Sequence, residues 1–332
     1  MNYRERVWSA VRHEPTTPTP YSMYFTHELQ EIMTAYTGNP HFISKVGNHI
    51  DSRSCYADMV EIKPDFWQDP WGAVWNRTLD KDIGNVVEYL YSEPDIDMQP
   101  EREPDLQVIH DRFGQWPVGD EFRMADLGFS MFERAWVLRG MENLLTDMLL
   151  NPAFVDALMD RILAYNLKMM DAALAYNLDG FQFGDDWGKQ EFMIMGPELW
   201  RRFIKPRLAV MIAHAKSKGL AASLHSCGDI HEVFPDLIDI GLDIYQTFQP
   251  EIYDMRAFKE TYGSKLTVWG SISTQRLLPF ATPVEIKRVV HETIGILGKN
   301  GGLIAAPTHS MTRDIPPEAV VALMEAFQQQ EA

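Results

Sequence analysis

In the second half of the chain, short apolar runs of strand-forming residues alternate with longer stretches of helical period, and this constrains the fold more than any other feature. Residues 179–184 (DGFQFG) read as a strand. Residues 197–218 read as a helix with Pro197 in its first turn and Gly219 just past its end, and Pro206 is expected to bend that helix without ending it. Strand 221–227, helix 230–240, strand 243–249, helix 254–262 and strand 266–272 follow. The clearest helix is 282–297: Thr282 and Glu285 form a capping box around Pro283, and Ile286, Val289, Val290, Ile294 and Leu297 share one face. A last strand, 302–308, precedes an amphipathic helix that starts after Pro316 and Pro317.

The first half offers an opening helix, 3–13, and three strands at 21–25, 58–62 and 121–125. Three strands added to the five of the second half give eight, the number in a (β/α)8 barrel, here with additional N-terminal helices. A doubly wound sheet also alternates and is the other architecture open to such a chain. The acid- and proline-rich stretch 93–105 reads as a solvated loop inside one domain spanning 1–332.

Composition sets the outer limits. With 45% hydrophobic and 23% charged residues the chain has material for a core and is not of the disordered class. Its net charge of -17 excludes nucleic acid as a partner, and a polyanionic substrate would need a basic pocket that nothing in the composition announces. Cys55 and Cys227 are the only cysteines, so no disulfide framework is expected and a reducing cytoplasm is the expected compartment. The opening MNYRERVWSAVRHE lacks the apolar run of a signal peptide, and no stretch approaches the roughly 20 apolar residues of a membrane span.

In a parallel barrel the reactive groups sit at the carboxyl ends of the strands. His225 and Cys227 stand two apart at one such end, so both point to the same side. Imidazole nitrogen and thiolate sulfur are zinc donors, and His309, at the end of the last strand, is the candidate third ligand. The alternative is an ordinary buried thiol beside a hydrogen-bonded imidazole. Asp185 and Asp186 follow strand 179–184 directly; one of two adjacent carboxylates in a cleft can be held protonated as a general acid, or one caps a neighbouring segment while the other is solvated. Gln249, Trp187 and Tyr24 are assigned to substrate contact. Trp67, Trp71 and Trp75 suit the closing of a core better than an aromatic wall, and His13, His214 and His291 read as surface positions.

These residues lie in stretches that resemble the uroporphyrinogen decarboxylase superfamily, and within it the corrinoid-dependent methyltransferases. The likeness is carried by FIKPRLAVMIAHAKSKGLAASLHSCGDIHEVFPDLIDIGLDIYQTFQP, by LTVWGSISTQRLLPFATPVEI and by GGLIAAPTHSMTRDIPPEAVVALMEAF, with RERVWSAVRHEPTTPTP and FERAWVLRGMENLLTDML in support. It implies a (β/α)8 barrel over nearly the whole chain. Decarboxylases of the family receive the carboxylates of their tetrapyrrole on an arginine-rich N-terminal segment. The corresponding PYSMYFTHEL has no arginine, which speaks against that substrate, and Asp58 matches their catalytic aspartate only loosely. Thiol methyltransferases of the branch resemble this chain at H-x-C but use a third-ligand cysteine where His309 stands, so a His, Cys, His zinc site here implies a stronger Lewis acid.

The resemblance therefore implies a methyltransferase that moves a methyl group between a small methylated substrate, an aryl methyl ether being the expected case, and a corrinoid (cobalamin) carried by a partner protein. Transfer from methylcorrinoid to a thiol or folate, decarboxylation, and a non-catalytic corrinoid-binding subunit are the alternatives, and a homodimer is left open.

Overall fold

The computed structural model describes residues 1–79, 81 and 84–330. In chain order its strands are β1 (Ile50–Ser54), four short strands β2 (Val60–Lys63), β3 (Phe66–Gln68), β4 (Val74–Asn76) and β5 (Asn85–Glu88), and then β6 (Phe122–Leu127), β7 (Gly180–Gly184), β8 (Ala221–His225), β9 (Ile244–Phe248), β10 (Thr267–Ile272) and β11 (Leu303–Pro307). Seven of them pair in parallel in the order β1-β6-β7-β8-β9-β10-β11. The eighth place belongs to the segment around Tyr21. Ala305 in β11 donates to Pro20 O at 2.8 Å, Ser22 donates back to Ala305 O at 3.1 Å, and on the other side His49 N–H donates to Tyr21 O at 3.0 Å. The expected strand 21–25 is thus present as isolated bridges at Tyr21 and Phe25, and between them Met23 donates to Asn48 Oδ1 at 2.8 Å and accepts from Asn48 Nδ2 at 3.0 Å in place of a ladder to β1. The barrel expected from the alternation is the fold observed, and among the described residues no helix is long and apolar enough to cross a membrane.

Three expectations are corrected. Strand 58–62 does not enter the barrel: Val60–Lys63 is an edge of the antiparallel sheet β2–β5, with all four residues exposed. The barrel strand is β1, whose sequence IDSRS lacks the apolar run expected of a strand in a parallel sheet. Its polar side chains have specific partners instead: Asp51 accepts from the Trp116 indole at 2.7 Å, and Arg53 donates to Arg112 O at 3.2 Å and lies over the Trp116 ring. The helix expected at 197–218 is two helices, Gly196–Phe203 and Lys205–Lys216, broken at Ile204. Pro206 has no N–H to continue the first helix and sits in the first turn of the second, so it ends the helix rather than bending it. Helix 230–240 likewise splits into a 3-10 turn, His231–Val233, and Phe234–Asp239 with Pro235 in its first turn.

The clearest expected helix forms as Pro283–Leu297, with Thr282 accepting from the Glu285 N–H. Trp75 is buried in the hairpin sheet across from Trp67, and Trp71 is buried in the turn between β3 and β4, as the core-closing reading required. The opening helix Tyr3–Val11 plugs the amino-terminal end of the barrel, packing Val7 and Ala10 against residues of six barrel strands, Ile50, Phe122, Ala221, Ile244, Trp269 and Ile304. His13, expected at the surface, is half-buried there, and burial lowers its pKa.

His49 joins this plug to the barrel seam. The Arg6 guanidinium, which can only donate, lies 3.2 Å from its Nε2, so the ring is held neutral. Burial pushes its pKa down from 6.5 to about 4. The unfolded chain therefore takes up more protons than the fold between those two values, and the stability of the neutral ring is whole above pH 6.5 and lost as the pH falls to about 4. The loss is on the order of 3 kcal/mol. Denaturation followed from pH 7 to 4 is expected to show this decline, and His49→Gln should flatten it; an unchanged slope in the variant would assign the acid sensitivity elsewhere.

Candidate active site

At the carboxyl ends of the barrel strands lies a cavity of about 440 Å3. Asp126 from β6, His225 from β8 and Gln246 from β9 line it, together with Asp186 and His309 from the loops after β7 and β11. Among the described residues, no lysine or arginine lines it.

His225 is the last residue of β8, and its Nδ1 makes a short contact with Gln246 Oε1 on the neighbouring strand. That contact turns Nε2 toward Asp186 Oδ1 at 3.4 Å and Cys227 Sγ at 3.5 Å. The ligand atoms of Asp186, His225 and Cys227 all lie within 4.8 Å of one another. Donors about 2.0 to 2.3 Å from a common tetrahedral ion stand about 3.3 to 3.8 Å apart, so these contacts have the spacing of a metal site. Burial alone would raise the Asp186 pKa, but the His225 contact holds it below the usual carboxylate range. Burial likewise opposes charge on His225, and Asp186 and Cys227 outweigh it and raise its pKa.

Backbone contact between two loops sets this geometry. Cys227 N–H donates to Asp186 Oδ1 at 2.7 Å, Gly188 N–H donates to Cys227 O at 3.2 Å, and Asp229 N–H donates to Lys189 O at 2.7 Å. Gly228 has φ +79, and a Cβ there would lie 2.2 Å from the Gly188 carbonyl carbon. Only glycine fits both the conformation and the approach. Gln249, assigned to substrate from sequence, instead accepts from the Gly228 N–H at 2.7 Å and does not line the cavity.

The adjacent aspartates diverge. Asp185 is fully buried and accepts from the N–H groups of Met131 at 3.3 Å, Phe132 at 2.9 Å and Glu133 at 2.7 Å, and from the Trp187 indole at 2.6 Å. It caps the helix Phe132–Arg139 from across the chain, and Trp187, also fully buried, holds it there. Neither lines the cavity, although burial lifts Asp185 to about 6. Tyr24 does line it, its hydroxyl donating to Ile50 O at 3.2 Å. His309 lines it as well, with a ring centroid 6.1 Å from that of His225, but lies outside the three-donor group; burial first, then the charge of His225, lower its pKa. Asp58 is exposed, paired with Arg112 at 3.0 Å, and away from the cavity.

Two cavity carboxyls were not singled out from sequence. Burial pushes Asp126 up to about 6, and burial with the charges of Asp186 and Asp185 pushes Glu133 up to about 8. Asp126 obeys the strand-end rule that found the others and was legible by it. Glu133 stands in the first turn of a helix whose start only the fold brings to the mouth.

The fold and donor set define a parallel barrel with three donors at its mouth that could hold a metal ion. The family model for uroporphyrinogen decarboxylase (URO-D) matches residues 130–330, and the chain belongs to that family. Among solved structures it is similar to a methyltransferase from Methanosarcina mazei, with a TM-score of 0.71 and 18% identity over 99% of each chain, a likeness of fold. A B12-independent methionine synthase from a Shewanella species matches at a TM-score of 0.48 and 13% identity over 90% of this chain and 84% of that one, too distant to carry an argument. No curated protein matches the sequence.

Two substitutions separate scaffold from site. Asp185→Asn leaves buried N–H groups without a charged acceptor and is expected to cost on the order of 2 kcal/mol in urea denaturation, whereas Asp186→Asn should stay within about 1 kcal/mol of wild type. Gly228→Ala forces the two loops apart, and is expected to abolish retention of any metal the three donors hold while leaving the circular dichroism of the barrel in place; retention equal to wild type would show that the close approach does not set the donor geometry.

Proposed function

We propose that the chain is a methyltransferase that moves a methyl group between a small methylated compound and a corrinoid carried by a partner protein. One observation carries this reading: Asp186, His225 and Cys227 converge at the mouth of a barrel of this family. The mixed oxygen, nitrogen and sulfur set suits zinc among common ions. A zinc ion bound there supplies Lewis acidity at the heteroatom that carries the methyl group.

The chain's own residues do the rest. Gln246 fixes the His225 tautomer by its contact with Nδ1, leaving Nε2 as donor. Asp186 is assigned to holding the ion, and Asp185 to holding the loop that presents it. His309 and Tyr24, which line the same cavity, contact the substrate, with His309 the alternative donor. The aromatic rings of Tyr24, Phe129 and Trp269 fit a small methylated donor, aryl methyl ethers among them. Decarboxylation of a polycarboxylate is disfavoured, because among the described residues the lining has no lysine or arginine to receive it.

Metal analysis of purified protein is expected to give one zinc per chain, with affinity lowered at least about tenfold by His225→Ala or Cys227→Ser and less by His309→Ala. Methyl transfer between a methylated donor and a reduced corrinoid protein, followed by the corrinoid absorbance, should fall in parallel. A metal-free wild type that transfers methyl groups at the full rate would sink the metal assignment.

A further inference from the structure

The carboxylates at this mouth outnumber the groups that can balance them. A divalent ion bound by Asp186, His225 and Cys227 would have its charge offset by Asp186 and Cys227. Asp126 and Glu133 are then left with no ion-pair partner among the described residues, in a lining without lysine or arginine. Burial favours the protonated form of both, at about 6 for Asp126 and about 8 for Glu133, and a ligand that brings a positive charge is what would hold them ionised.

The rest of the lining points the same way. Tyr24, Phe129 and Trp269 line the cavity with the acids, and burial first, then the charges of Asp51 and Asp126, raise the Tyr24 pKa. The Tyr24 and Trp269 rings stand 6.4 Å apart, and Trp269 is fixed by its indole N–H donating to Ser22 Oγ at 2.9 Å. Aromatic faces beside carboxylates attract alkylammonium ions, whose diffuse charge gives up hydration readily. The net charge of -17 draws cations toward the protein as a whole.

We infer that the methylated compound taken by this cavity is a cation, a quaternary or N-methylated ammonium ion, held between the carboxylates of Asp126 and Glu133 and the rings of Tyr24, Phe129 and Trp269. Only the use made of this ligand rests on the methyltransferase reading. In that reaction the bond from methyl carbon to nitrogen breaks and its electron pair stays on nitrogen, which departs as a neutral amine. No protein group has to protonate it, and because a four-bonded nitrogen has no lone pair, an ion held by Asp186, His225 and Cys227 would act only on the departing amine, whose lone pair appears as the bond breaks. The methyl group passes to cobalt(I) of the partner's corrinoid, which supplies the pair for the new bond.

Calorimetry with zinc-loaded protein and no corrinoid tests the binding alone. Two probe pairs differ only in charge: choline with 3,3-dimethylbutan-1-ol, and phenyltrimethylammonium with tert-butylbenzene. The cation of at least one pair should bind about tenfold tighter than its neutral counterpart. Glu133→Gln and Asp126→Asn should each reduce that preference at least about threefold, measured on variants whose circular dichroism matches wild type. No preference for the cation in either pair, or a preference unchanged in both variants, overturns the inference. Cation binding without methyl transfer to any corrinoid protein overturns the proposed reaction and leaves the ligand class standing; methyl transfer from a neutral ether with no cation preference does the reverse.

Discussion

Asp185 is the constraint on which the mouth of the barrel depends. Its fully buried carboxylate accepts from three consecutive backbone N–H groups at the start of the helix Phe132–Arg139 and from an indole. A group so committed has no lone pair left for substrate. What it does is tie the end of β7 to a helix that begins 53 residues earlier in the chain. Two consequences follow from one carboxylate. The next residue, Asp186, reaches the cavity, and Glu133, whose N–H is one of the three donors, is brought to the same place.

The second constraint is the crossing of the loops after β7 and β8. Gly188 and Gly228 allow backbone contact that any side chain would prevent, and Cys227 N–H meets Asp186 Oδ1 because of it. His225 is oriented separately, by Gln246 on the adjacent strand. Donor atoms from two loop residues and one strand end thus reach a common spacing through backbone contact and a single side-chain hydrogen bond. Such a site tolerates little movement, as metal chemistry and ligand positioning both require.

Electrostatics gives the cavity its selectivity. A chain of net charge -17 places partly buried carboxyls at its mouth and, among the described residues, no lysine or arginine in the lining to pair with them. Arginines elsewhere are committed to scaffold: Arg134 pairs with Asp69 at 2.5 Å and Arg139 with Asp147 at 2.7 Å, both fully inside the protein. The cavity is therefore hostile to anions and receptive to cations or neutral molecules.

Much of this was legible in sequence, and what was not has an identifiable cause. The barrel showed in the alternation of apolar runs and helical periods, since β7 to β11 are buried and must read as apolar. Strand-end placement found Asp186, His225, Cys227 and His309, because a parallel barrel puts its reactive groups there. The strand β1 stayed hidden: IDSRS satisfies its polar side chains with Trp116 and Arg112, partners far along the chain that no local pattern announces. Pro206 was expected to bend a helix, and it and Pro235 instead each stand in the first turn of a new one, a choice that depends on the packing around them. Sequence alone determined the period, the charge and the chemistry-bearing residue types. Only the tertiary structure decided that Asp185 is spent on backbone N–H groups while Asp186 reaches the cavity, that Asp186 stands beside His225 and Cys227, and that Glu133 joins them. Neighbours in sequence are separated, and distant residues united, by hydrogen bonds whose donors and acceptors lie on different strands and loops.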